Sequence, residues 1–487
     1  MLEAYCFPRS ALPGESLPLH VSTDAGTVDV EVAREGGVRT VVWRAASVAA
    51  GAHATPPDAA AQGCGWPAAL EIPIGEDWRS GFYAVTLRAG DERAEAFLVV
   101  RPAPGRPTAP MILVLSTSTW NAYNDWGGPS LYTGGTRVSF ERPLARGFLD
   151  KPQPMRRKMQ PELDREARWY FEWAEPLGLS VWSGGSGWAT WERDFVRWAE
   201  THGDELDVAL SEDLEQHPEV LEGHRLFLSV GHDEYWSWGM RATLDAFTDA
   251  GGNAAIFSGN TCFWQVRYDD EHRSMICFKY RADDDPVVGT PDERFVTGPW
   301  SDRRIAWPET RTIGLTFTRG GYSRYGLGVP RGSGAYIVWR PEHWAFEGAD
   351  LHYGDELGRA DSIVAYEVDG VELTMGADGL PAPTGADGAP DGLEVLATAP
   401  ARLWAQHEQP SRYAHEPGEL ENTAMAVFGP GWRDQVRRVT NNHACIGIFT
   451  KPGGGTVFNA GVTDWTCGLG DPAVARVTRN VLDRLSS

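Results

Sequence analysis

Three short stretches of the chain place tyrosines, acids, a histidine and an amide side chain directly after apolar runs. STSTWNAYNDWGGPSLYTGG carries Tyr123 and Tyr132, VGHDEYW carries His232, Asp233, Glu234 and Tyr235, and FSGNTCFW carries Asn260. Asp233 and Glu234 are hard oxygen donors, and tyrosines become phenolates beside a trivalent ion. Three anionic oxygens balance the charge of ferric iron and leave coordination positions for water, whereas zinc more often takes His or Cys. The same residues also have a plain structural reading. Tyrosines pack with their hydroxyls satisfied, and GHDEYW can be a capped helix start whose acids suit the helix dipole. Nucleophilic chemistry has weaker footing. A nucleophile elbow needs glycines two residues to either side of a serine, and SGGSGW around Ser186 does not supply both. Cys262 lies among aromatics with no local partner and reads as a buried thiol.

The elements around these stretches must bring them together. MILVLSTSTW, HRLFLSV and AAIFSGN are continuous apolar runs, the pattern of strands buried on both faces of a parallel sheet. Between and around them, DREARWYFEWAEPLG and WERDFVRWAETHG read as helices and LSVWS as a short strand. HRLFLSVGHDEYWSWGMRATLDAFTDAGG reads as strand, sharp turn and helix. Alternating strands and helices predict βαβ units, with ligands beyond the carboxyl ends of the strands, where all three stretches sit. Residues 1–102 differ in texture. SLPLHVSTD, TVDVEVARE, GFYAVTLRAG and AEAFLVVRP are short runs bounded by turn residues, predicting a β-sandwich of immunoglobulin-like architecture. Residues 103–110 form a Pro-rich linker, and residues 111–487 the α/β domain. Within the latter, 376–392 (GADGLPAPTGADGAPDG) reads as a surface loop. The end of the chain returns to strand, loop and amphipathic helix, VARVTRNVLDRL.

Composition sets limits on partners. The 487 residues carry a net charge of −23, which excludes a nucleic-acid partner and disfavours an anionic membrane surface. No apolar run approaches the ~18 residues that would span a bilayer. MLEAYCFPRSALPG lacks a basic region followed by an apolar one, so no leader is expected. The six cysteines form no CxxC pair and fit reduced thiols, and the expected location is cytoplasmic. Of 21 tryptophans, 11 fall between Trp120 and Trp264, the span that holds the three stretches.

LVLSTSTWNAYNDWGGPSLY, LFLSVGHDEYWSWGMRATLDAFTDAGG and IFSGNTCFWQVR together resemble the large subunit of N,N-dimethylformamidase and its relatives. The resemblance runs from about residue 111 to 485, and the N-terminal β module also resembles domains in that family. It implies a class I glutamine amidotransferase-like α/β catalytic domain and hydrolysis of a simple amide. It further implies a mononuclear iron, Fe(III), held by two tyrosines and a glutamate: Tyr123 of WNAY, Tyr132 of SLY and Glu234 of GHDEY. The family's asparagine after the next strand falls on Asn260, its downstream lysine on Lys279, the histidine two before the metal glutamate on His232, and a later glutamate on Glu367 in AYEVDG. The implied partner is a small-molecule amide. Self-association into a homo-oligomer and the need for a small partner subunit stay open.

On this reading the ion would lower the pKa of a water, and Asn260 would stabilise the oxyanion. His232 would orient Glu234 or pass a proton, Lys279 would be a pocket charge, and Trp120, Trp126, Trp236, Trp238 and Trp264 would wall an apolar pocket. Two other readings remain. One is a carbohydrate-binding or sugar-processing protein of trehalose-utilisation-like fold, since tryptophan faces stack on sugar rings. The other is a non-catalytic relative that keeps the fold without the metal.

Overall fold

The computed structural model describes residues 1–152, 173–269, 271–325, 329–409 and 417–487. It is a mixed α/β chain with several sheets, rich in strands. The chain forms two compact units. Among the described residues the first holds 1–152, 175–224, 268–269 and 271–276, and the second holds 173–174, 225–267, 277–325, 329–409 and 417–487.

The first unit begins with two sheets. One is antiparallel, ordered Leu2–Cys6, Ser16–Thr23, Ala68–Pro73; the other is ordered Ser10–Ala11, Glu92–Val100, Gly81–Ala89, Thr27–Glu35, Arg39–Ala49. Alternation puts one face of each inward. Leu17, Leu19 and Val21 from one strand, and Val28, Val30 and Val32 from another, share a core with Tyr83, Val85 and Leu98. Each such side chain contributes about 1.5–3 kcal/mol by leaving water. Further along, Met111–Leu115 pairs in parallel with Leu206–Leu210, and every residue of both strands is buried, as the unbroken apolar run predicts. The seven-residue helix Thr117–Tyr123 follows at once.

In the second unit, Leu226–His232, Asn253–Gly259 and Thr456–Asn459 run parallel to one another. The sheet continues through Asn441–Thr450, Glu394–Arg402, Thr316–Ser323 and Tyr366–Gly370, all antiparallel. The expectation of a mostly parallel sheet therefore holds only near the first strands. A parallel connection needs a crossover, and helix Trp238–Asp249 supplies one between the first two strands. Residues 441–459 instead turn straight back as a hairpin. The C-terminal helix Pro472–Leu485 is capped by Asp471, which accepts from Ala473 N at 2.9 Å, and buries Val474, Val477, Val481 and Leu485.

Two local expectations are corrected. LSVWS is not a strand: Val181–Gly184 is a 3₁₀ turn, because the Ser180 hydroxyl caps it by accepting from Trp182 N at 3.1 Å. Residues 376–392 are not entirely loop, since Pro381–Pro383 pairs with Leu373–Met375. Most of the helix expected over DREARWYFEWAEPLG lies outside the described residues; its end, Glu175–Leu177, is a 3₁₀ turn. No helix among the described residues is long and apolar enough to cross a membrane.

Candidate functional site

The chemistry-bearing residues form two groups, one in each unit. In the first unit Tyr123 ends the helix after Met111–Leu115, and Tyr132 lies nine residues on. The Tyr132 hydroxyl donates to the Tyr123 hydroxyl at 2.6 Å, with ring centroids 4.2 Å apart. Trp182 packs against both rings, at 5.2 Å from Tyr132 and 6.1 Å from Tyr123. Two phenols whose oxygens meet at this distance satisfy one another as a hydrogen-bonded pair and present adjacent hard oxygen donors.

In the second unit the strand Leu226–His232 delivers His232 and Glu234 to its carboxyl end. Gly231, at φ 82°, takes the left-handed turn there that a side chain would strain. His232 Nε2 lies 2.6 Å from Glu367 Oε2 and 3.4 Å from Glu234 Oε2. Asn260 Nδ2 donates to the same Glu367 oxygen at 3.0 Å. Potential ligand atoms of His232, Glu234 and Glu367 all lie within 4.8 Å of one another, and all three residues are buried. Glu234 is tied down on both sides of its Cα. Its carbonyl accepts from Phe263 N and Trp264 N, and its Oε1 accepts from the Trp264 indole at 2.7 Å. Gly259 makes this approach possible: a Cβ there would sit 2.5 Å from the Glu367 carbonyl oxygen.

Lys279 is buried beside this group. Its ammonium donates to the Tyr235 hydroxyl at 2.7 Å and faces the rings of Trp264, Tyr280 and Tyr235 at 5.0–5.3 Å. Desolvation pushes its pKa down, while the charges of Glu234, Glu419 and Glu367 oppose the fall. Asn260 and Lys279 both have φ of 49°, and Tyr366, the neighbour of Glu367, has φ of 63°. For a residue other than glycine this conformation costs roughly 1–2 kcal/mol. Its recurrence on the three segments that carry the group marks a backbone held in place by its surroundings.

Some expected members lie elsewhere. Asp233 faces away, its Oδ2 accepting from Ser229 Oγ at 2.7 Å. It does not cap the following helix either; Ser237 does, accepting from Met240 N at 3.1 Å. Cys262 is buried, and burial holds its thiol well above the usual range, as expected of a packed thiol. Of the five tryptophans, Trp264 touches a site carboxylate and Trp236 donates to the Asp233 carbonyl at 3.1 Å. Trp120 donates to Glu192, Trp126 packs edge-on against Trp66, and Trp238 packs among Phe295, Trp300 and Trp307. Those last three therefore have structural partners.

Residues 29–479 match the family model described as N,N-dimethylformamidase beta subunit-like, C-terminal. The chain belongs to this family. Among its relatives are two proteins named N,N-dimethylformamidase beta subunit. That of Paracoccus aminophilus is 24% identical over 461 residues, covering 86% of this chain and 54% of the relative. That of an Alcaligenes species is 23% identical over 237 residues, covering 43% of this chain and 29% of the relative. The chain thus spans about half, or less, of the length of the curated relatives it matches.

One member of the second group was absent from the sequence reading. Glu419 opens the helix Glu419–Phe428, is buried, and accepts from the hydroxyls of Tyr280 and Tyr322 at 3.1 and 3.2 Å. Burial, reinforced by the charges of Glu367 and Glu234 and opposed by Lys279, pushes its pKa up to about 7. GELENTAMAVF reads as an ordinary helix start with acids in its first turn. Its partners lie 139 and 97 residues away, so no local pattern points to it.

Proposed function

We propose that this member of the dimethylformamidase-like family is an amide hydrolase acting on a small N-substituted amide. Its cofactor on this reading is a mononuclear ferric iron with Tyr123, Tyr132 and Glu234 as ligands. The class I glutamine amidotransferase-like domain and the immunoglobulin-like sandwich belong to the same proposal. So does an assembly with further subunits, since the relatives are named as subunits. The donor set suits the ion: two phenol oxygens 2.6 Å apart and a carboxylate oriented by an indole are all hard donors. When bound, the ion supplies Lewis acidity that brings water close to deprotonation at neutral pH.

The observation that carries the reading is the buried convergence of His232, Glu234, Glu367 and Asn260. His232 Nε2 and Glu367 Oε2 lie 2.6 Å apart, which puts two groups that can carry a proton side by side. A proton taken from water on one of them can pass to the departing amine. An amide NH₂ has two hydrogens. Asn260 Nδ2 spends one on Glu367 and has a second to offer a developing oxyanion. Lys279 holds a positive charge within electrostatic reach of Glu234 and Glu367 inside an aromatic box, which excludes bulk water from that side.

The test is amine release from a panel of formamides and acetamides by iron-loaded protein. Wild type should turn over at least one N-substituted amide. Glu367→Gln should lose about 10²–10⁴-fold in kcat by removing the proton carrier, and Asn260→Ala about 10²–10³-fold by removing one oxyanion donor. An iron-loaded protein inert to the whole panel, or a Glu367→Gln variant with full activity, contradicts the proposal.

A further inference from the structure

We propose that Glu419 is a positioning residue of this site, acting through a pair of tyrosines that it clamps. The inference rests on the functional reading above and adds a residue to it. Both tyrosine hydroxyls converge on one oxygen, Glu419 Oε2. Each tyrosine then leads to a different part of the site.

Tyr280 follows Lys279 directly in the chain, and its ring faces the Lys279 ammonium at 5.2 Å. It also meets Trp264 edge-on, with centroids 5.2 Å apart and planes at 84°. Trp264 in turn donates to Glu234 Oε1 at 2.7 Å. Fixing the Tyr280 hydroxyl therefore fixes one wall of the lysine box and backs the indole that orients the glutamate.

Tyr322 is the cross-strand partner of Glu367 in the pairing of Thr316–Ser323 with Tyr366–Gly370. Directly opposed residues project on the same face of a sheet, so Tyr322 stands beside Glu367. Its ring stacks on Trp404 at 3.7 Å and 2°. The Trp404 backbone carbonyl accepts from Leu420 N at 2.9 Å, which anchors the helix start carrying Glu419 to the main chain of the residue on which Tyr322 stacks. A single carboxylate thereby ties together the segments that bear Lys279 and Glu367, with Glu234 reached through Trp264. Two long side chains and a helix terminus gain one common reference point, the kind of outer support that holds reacting groups in register.

The experiment compares Glu419→Gln with Glu419→Ala in the full-length, iron-loaded chain. It reads kcat and KM on the amide that wild type turns over, and near-UV circular dichroism as a report on aromatic packing. Glutamine keeps an acceptor oxygen for the two hydroxyls and alanine does not. The expected result is a Gln variant within about threefold of wild type in kcat and an Ala variant lower by about 10–100-fold, as for misplacement of a catalytic group. The near-UV spectrum should change in Ala and not in Gln. If Ala does not fold, the double variant Tyr280→Phe, Tyr322→Phe removes both donors while keeping both rings, and should reproduce the kcat loss and the spectral change. Equal impairment of Gln and Ala, or no change in any of these variants, overturns the proposal. The spectral comparison needs no turnover, so an inert wild type with distinct Gln and Ala spectra would refute the amidase reading and leave the clamp standing.

Discussion

Replacing Trp264 by phenylalanine removes the indole N–H that Glu234 Oε1 accepts at 2.7 Å, in a site where Trp264 is fully buried. The loss has two parts. Trimming the ring inside a packed interior costs about 1–2 kcal/mol in burial and cavity energy. Leaving a buried carboxylate oxygen without its donor adds about 1.5–3 kcal/mol, since hydrogen bonds to charged groups are the strong ones. Trp300 provides the control. It is equally buried, but its Nε1 has no hydrogen-bond partner among the described residues. Trp300→Phe should therefore lose only the first part, offset in turn by removal of an unsatisfied N–H. Urea unfolding at neutral pH should place Trp264→Phe at least about 2 kcal/mol below Trp300→Phe in stability. Equal losses would show that Glu234 is not held as an ionised carboxylate by Trp264, and would remove the geometric basis for treating it as an oriented ligand.

Burial pushes Glu309 up to about 7 from its ordinary 4.5, against the bond its Oε1 accepts from Thr316 Oγ1. Between those two values the folded chain binds one proton more than the unfolded chain, so this group makes stability fall as pH rises through that window. The loss is at most about 1.4 kcal/mol per pH unit, roughly 3 kcal/mol in all. Glu309→Gln should flatten that part of the stability profile between pH 5 and pH 8 in denaturant titrations; parallel profiles would refute the assignment. Five of the six cysteines are buried, with Cys467 partly exposed. A thiol reagent applied to native protein should accordingly modify Cys467 at most and leave amide hydrolysis intact, whereas rapid inactivation through Cys262 would point to nucleophilic chemistry after all.

Much of the second-unit group was readable because strand and turn are written locally. LFLSV and AAIFS are unbroken apolar runs, and a strand buried on both faces leaves its polar residues to the loop that follows, where His232, Glu234 and Asn260 stand. The same logic located Tyr123 after MILVL. Glu367 came only through family resemblance, since YEVDG is a strand whose significance depends on its contact with His232. Lys279 was likewise invisible on its own: a lone lysine in a polar stretch looks solvated, and only the fold puts it among three aromatic rings. LSVWS misled because its alternation mimics a strand, while the Ser180 hydroxyl favours a tight turn. The antiparallel half of the second sheet was missed for a different reason. Period-2 patterning shows that a strand exists and says nothing of its direction, which the connection decides. Tryptophan density near Trp120–Trp264 also divided on inspection, with Trp264 tied to Glu234 and Trp238 packed against Trp300 and Trp307.

The central claim is the metal and its ligands, and it is tested most directly by iron analysis with visible spectroscopy of protein purified as wild type, Tyr132→Phe and Glu234→Ala. Ferric iron on phenolate should give wild type near-stoichiometric iron and a charge-transfer colour. Tyr132→Phe should shift or weaken that band, and Glu234→Ala should lose iron. A colourless, iron-free wild type that hydrolyses an amide, or a band indifferent to the loss of Tyr132, would contradict the account.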